Sequence, residues 1–75
     1  MNNSFTLRMA GHFAEQLVRE RPAGIEQQVG LAFELAFGRP PSAEELRESV
    51  GFAGQHSLAA FCRVMFNSNG FLYVN

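Results

Sequence analysis

The chain of 75 residues lacks tryptophan, lysine and aspartate, and it contains one cysteine and one tyrosine. A single cysteine, Cys62, excludes an internal disulfide, so the framework of a small disulfide-stapled secreted domain is absent. No apolar run approaches the roughly 20 residues of a transmembrane helix, and no charged start followed by an apolar core indicates a signal peptide. The sequence therefore predicts no membrane as a partner.

An excess of charge of one sign is also missing, because six arginines and seven glutamates leave a net charge of −1. Proteins that bind DNA or RNA usually carry a basic surface that meets the phosphates. The near-neutral balance of this chain predicts no nucleic acid as a partner.

Apolar side chains are plentiful, since 47% of the residues are hydrophobic and eight are Phe. Such a composition favours folding over disorder. A chain this short buries only about 60% of its unfolded surface, so its stability is marginal. We expect residues 1–75 to form a single helical domain, and a subdomain of a larger parent protein.

The stretch from Ile25 to Phe37 has the strongest helical pattern of the chain. At about 100° per residue, Gln27, Gly30 and Glu34 share one narrow side, and nearly all the rest is apolar. This pattern predicts a helix that other elements surround on most sides. Gly38 follows at the position where a left-handed residue usually ends a helix.

A loop and a second helix start follow directly. Ser42 and Glu45 have the spacing of a capping box, which predicts a third helix from Ser42 to about Gln55. Within it, Gly51 is expected to permit a close approach of another backbone. Arg39, in the loop, either binds an anion or covers the last carbonyls of the preceding helix, and we favour the second reading.

Two more helices are predicted at the ends of the chain. The first runs from Ser4 to about Arg19, and the last begins after Ser57 as N-cap and ends near Phe66 or Asn67. The predicted fold class is all-α, a small bundle of three to four helices with an apolar extended C-terminal tail. The apolar pattern of the first helix places these residues in the core or beside it: Phe5, Met9, Ala10, Phe13, Ala14, Leu17 and Val18.

The apolar tail consists of Phe71, Leu72, Tyr73 and Val74, after a turn signal at residues 67–70. Four consecutive apolar residues either complete the domain's own core or bind a partner. Among all segments of the chain, this one is the strongest sequence-level candidate for an interaction site.

Residues that could carry chemistry are few. His12 and His56 lack the local partners of a metal or haem site, so we predict no metal and no cofactor. Cys62 lies on the apolar face of its helix, where a free cysteine is usually a small buried hydrophobe. No set of catalytic residues is recognisable, and the sequence predicts that the chain is not an enzyme.

Three blocks of this sequence resemble a known family. Residues 1–5, the helix–Gly-Arg–Pro–Glu-Glu-Leu hinge at residues 33–46, and the closing block at residues 66–75 are similar in order and spacing to the C-terminal part of an uncharacterised domain. That domain belongs to large planctomycete multidomain proteins that also carry cytochrome-c-like domains. Gly70 and Asn75 depart from the acidic residues usual there. The resemblance implies a module of a larger, exported protein, and it implies no catalytic residues.

These observations leave two functional hypotheses. The first is a non-catalytic helical packing or protein-interaction module, which binds the rest of a parent chain or associates with itself, for example as a homodimer. The alternative is an accessory part of an enzyme or redox protein whose site lies in other domains. His12, Arg39 and Cys62 are the residues on which that alternative depends.

Overall fold

The computed structural model describes residues 4–67, which form four helices and no strand. These are α1 (Ser4–Glu20), α2 (Ile25–Phe37), α3 (Ala43–Gln55) and α4 (Leu58–Asn67). The predicted all-α fold class is confirmed, and each predicted helix boundary lies within one residue of the observed one. The predicted C-terminal tail lies outside the described residues.

The helix ends follow from local hydrogen bonding. Gly38 has φ 72° and ψ 19°, and its amide donates to the carbonyl of Glu34 at the end of α2. Ser42 and Glu45 form the predicted capping box at the start of α3. The hydroxyl oxygen of Ser57 accepts from the amide of Ala60 at 2.9 Å, as an N-cap does. These caps end α2 and begin α3 and α4 at the positions where the chain turns.

The four helices form a ring in which each packs on its chain neighbours and α4 closes on α1. The α1–α4 contact is the most extensive. Phe13 stacks on Phe66, with ring centroids 5.7 Å apart, whereas Val18 lies near Leu58 at the other end. Helices α1 and α4 are therefore antiparallel, and α4 ends beside Phe13.

Helix α2 contributes more buried residues than any other helix, which agrees with its predicted central position. Leu35 is an exception, because 52% of it is exposed. Gln28 is the one buried polar residue of the described core, and its amide nitrogen donates to the carbonyl of Arg21 at 2.9 Å. That bond fastens the α1–α2 loop to α2 and satisfies a group that burial would otherwise penalise.

The expectation of close packing at Gly51 is wrong. A methyl group placed there would meet no heavy atom within 4 Å, apart from neighbouring atoms of its own helix. Gly51 is exposed on α3. Its lack of a side chain therefore serves no contact between the described helices.

Candidate functional site

The tail that the sequence indicates as an interaction site lies outside the described residues 4–67. It consists of Phe71, Leu72, Tyr73 and Val74. A candidate site within the described chain must therefore come from the helices.

Helix α1 turns a different face to the core than its apolar pattern predicts. Ala10, Ala14 and Leu17 are buried as expected, but Phe5 and Met9 are exposed, Phe5 by 64%. The buried side centres on the small residues because α4 packs there. Helix α4 ends beside Phe13, and the large apolar side chains in the first turns of α1, Phe5 and Met9 among them, are exposed.

The exposed large apolar residues are concentrated on α1. Leu7 is 45% exposed and Val18 is 48% exposed. Placing Val18 in or beside the core was wrong, because Val18 lines an open groove beside Leu58 and Ala59 of α4 and is about half exposed. Single exposed apolar residues are ordinary, but several on one helix mark a surface that a partner can cover. The six exposed large apolar residues are Phe5, Leu7, Met9, Val18, Leu35 and Val64.

An open groove with a volume of about 520 Å³ lies between α1 and α4, and, among the described residues, Val18 is the one exposed large apolar residue that lines it. We call it the α1–α4 groove. It is apolar at its base and has one acidic and one basic side chain at its rim. Its lining residues are Gly11, Ala14, Glu15, Val18 and Arg19 of α1, and Leu58 and Ala59 of α4.

The guanidinium of Arg39 donates to Pro40 and Glu45 and not to the last carbonyls of α2, so the favoured sequence interpretation is wrong. Its two terminal nitrogens donate to the two carboxylate oxygens of Glu45 at 2.8 and 3.0 Å. One of them also donates to the carbonyl of Pro40 at 3.0 Å. The guanidinium lies over the rings of Phe33 and Phe37, 5.8 and 5.5 Å from their centroids. These contacts are internal and structural.

The same cluster perturbs the ionisation of Glu45. The hydrogen bonds from Arg39, followed by the bond from the Ser42 amide, lower the pKa of Glu45 from 4.5 to about 2. A carboxylate that accepts charge-assisted hydrogen bonds is stabilised in its ionised form. Glu45 therefore acts as an anionic cap and ion-pair partner, which is a structural role.

Cys62 is fully buried on α4, which confirms the sequence interpretation of a small core residue. Burial raises the pKa of its thiol from 9.0 to about 12. A reactive cysteine needs an accessible sulfur and a low pKa, because the thiolate is the nucleophile. Cys62 has neither property in this fold.

The two histidines lie apart, His12 on α1 and His56 just after α3, and both are exposed. The ring of His56 packs against Phe52, with centroids 4.5 Å apart. Within residues 4–67, no group of three His, Cys, Asp or Glu side chains is placed to hold a metal ion.

The α1–α4 groove was not predicted from the sequence. A helical projection shows that Leu7, Gly11 and Val18 share one side of α1, which differs from the side of Phe5 and Met9. The apolar pattern of α1 thus covers more than one face, and the sequence does not indicate which face the short α4 will cover.

No family model, no curated protein and no solved structure matches this chain. No helix within residues 4–67 has both the length and the apolar character that a membrane span requires.

Proposed function

We propose that this domain is a non-catalytic helical packing module that binds another protein through the apolar surface of α1. The observation that carries the proposal is that α1 exposes apolar side chains on two of its sides, Phe5 and Met9 on one and Leu7 and Val18 on the other. Covering such side chains stabilises a complex by about 25 cal/mol per Å² of apolar surface, before the cost of association. The partner is the rest of a longer parent chain or a second copy.

The state of the three residues on which the accessory-enzyme alternative depends supports a non-catalytic role. Cys62 is buried with a raised pKa, and Arg39 is paired with Glu45. His12 lies on α1 and Cys62 on α4, while Arg39 follows α2. The resemblance of the sequence to a planctomycete C-terminal domain implies no catalytic residues, and this agrees with a packing role.

The test combines light scattering with a dye that fluoresces when it binds exposed apolar surface. The full chain is expected to bind the dye or to associate as its concentration rises. Replacing Leu7 and Met9 together by Gln should reduce both signals at nearly unchanged stability, because both side chains are half-exposed.

Leu35→Gln on α2 is the matched control, since Leu35 is also half-exposed but lies on another helix. It should leave association as it is in the unmodified chain. A clean monomer at every concentration, with little dye bound, would contradict the proposal.

A further inference from the structure

We infer that the C-terminal tail, residues 71–74, packs on the side of α1 that carries Phe5 and Met9. The tail is thereby an internal cover for one of the two apolar sides that α1 exposes within the described chain. The other side, with Leu7 and Val18, stays open for the partner of the proposed function. The inference goes beyond that function, because it assigns the two sides of α1 to different occupants.

A row of apolar side chains leads from the end of α4 towards the start of α1. Phe5, Met9 and Phe13 are spaced by four residues, so they follow one side of α1. Phe13 is partly buried, because Phe66 in the last turn of α4 stacks on its ring. Met9 is 42% exposed and Phe5 is 64% exposed. Cover on this row therefore decreases with distance from the end of α4.

Helix α4 directs the chain towards the uncovered end of this row. It begins beside Val18 on one side of α1 and, running antiparallel to α1, ends at Asn67 beside Phe13 on another side. A chain that continues past Asn67 in the same direction passes over Met9 and then over Phe5. The described chain thus ends at the place from which this row can be covered.

The tail has the length that this row requires. The helix rises about 12 Å from Phe13 to Phe5, and residues 71–74 span about 13 Å when extended. Residues 68–70 join the tail to α4, so its effective concentration at the row is on the order of millimolar. A separate molecule at micromolar concentration competes poorly with such a tethered segment. Proximity therefore selects the tail as the occupant.

The spacing of side chains assigns two contacts. Alternate side chains of an extended segment face the same way, about 7 Å apart, and Met9 and Phe5 are separated by about 6 Å along the helix. Phe71 then packs on Met9, and Tyr73 packs on Phe5. Aromatic rings bury a large apolar area and make favourable contacts with methionine sulfur and with other rings. The two aromatic residues of the tail are therefore the ones that face α1.

Tyr73 provides the test, because it is the one tyrosine of a chain without tryptophan. Its fluorescence therefore reports on the tail alone. Quenching by acrylamide, measured on the full chain at low concentration, shows how accessible the ring is to solvent. Tyr73 should be quenched less than free N-acetyltyrosinamide. Dilution should leave this protection unchanged, because the contact lies within one chain.

Variants on two sides of α1 locate the contact. Phe5→Gln removes the ring on which Tyr73 packs and should abolish most of the protection. Leu7→Gln is the matched control, because it makes the same kind of change in the first turns of α1 but on the other side. It should leave the quenching of Tyr73 as in the unmodified chain. Both residues are exposed, so circular dichroism should show both variants folded.

A variant of the tail gives an independent result. Phe71→Gln removes the contact with Met9 and should also reduce the protection of Tyr73. Combining Phe71→Gln with Phe5→Gln should lose no more protection than the sum of the two changes, because both remove parts of one contact. Additional protection lost beyond that sum would contradict the assigned pairs.

The outcomes distinguish this inference from the proposed function. A Tyr73 that is quenched like the free compound, or protection that survives Phe5→Gln, would overturn the inference. Protection that disappears on dilution would also overturn it, because the tail would then pack on another molecule. If Tyr73 is protected and Phe5→Gln abolishes this protection, but the chain neither associates nor binds the apolar dye, the inference stands and the proposed function fails.

Discussion

At the scale of single residues, Arg39 is the side chain with the most specific contacts. It holds the carboxylate of Glu45 with two hydrogen bonds and lies over two aromatic rings of α2. The Ser42–Glu45 capping box is predictable, because it depends only on residues three apart. The Arg39–Glu45 pair is not predictable in this way, because it depends on the conformation of the loop that follows Gly38.

Because Arg39 lowers the pKa of Glu45, that pKa reports whether the Arg39–Glu45 pair is formed. Nuclear magnetic resonance titration of its side chain should give about 2 in the unmodified chain, and a higher value in Arg39→Gln. Because the folded-state pKa is lowered, the stabilisation is complete above about 4.5 and is lost as pH falls towards 2. Arg47→Gln is the control and should leave the titration unchanged. An unchanged midpoint in Arg39→Gln would exclude the pair as the cause.

At the scale of helices, the sequence predicted that each helix exists and where it ends, but it predicted less well which face of each helix is buried. Caps and breakers are local, which is why Gly38, Ser42 and Ser57 mark the boundaries correctly. The face of α1 that is buried depends on α4, which is distant in sequence. The apolar pattern of α1 indicated Phe5 as core together with Ala14 and Leu17, yet the structure buries Ala14 and Leu17 and leaves Phe5 exposed.

Two glycine substitutions should have opposite effects on stability. Gly51 lies within α3 with open space at its Cβ position, so Gly51→Ala should stabilise by about 0.5–1 kcal/mol. Gly38 has φ 72°, so Gly38→Ala should destabilise by about 1–2 kcal/mol. Urea unfolding followed by circular dichroism measures both. Destabilisation by Gly51→Ala would mean that another backbone does approach α3 closely.

At the scale of the whole molecule, the core is small and the α1–α4 contact is its largest part. Much of the apolar side-chain surface of α1 lies outside that core, on Phe5, Leu7, Met9 and Val18. A domain of this size gains only about 3–5 kcal/mol from a single hydrophobic core. Burial of the remaining apolar surface by a partner would therefore add substantially to its stability, which connects the fold to the proposed packing function.

Two identical substitutions test how the core is distributed. Leu17 is 0% exposed and Leu35 is 52% exposed. Leu17→Ala should cost about 2–5 kcal/mol, most of the stability of the domain, whereas Leu35→Ala should cost less than about 1 kcal/mol, since half of its side chain is already in water. Urea unfolding at a low protein concentration keeps association from contributing.

Leu17→Met, which conserves volume, should cost less than about 1.5 kcal/mol and so retain a measurable transition. Equal losses in the two alanine variants would contradict the exposed position of Leu35, because they would show that Leu35 contributes as much to the core as Leu17 does.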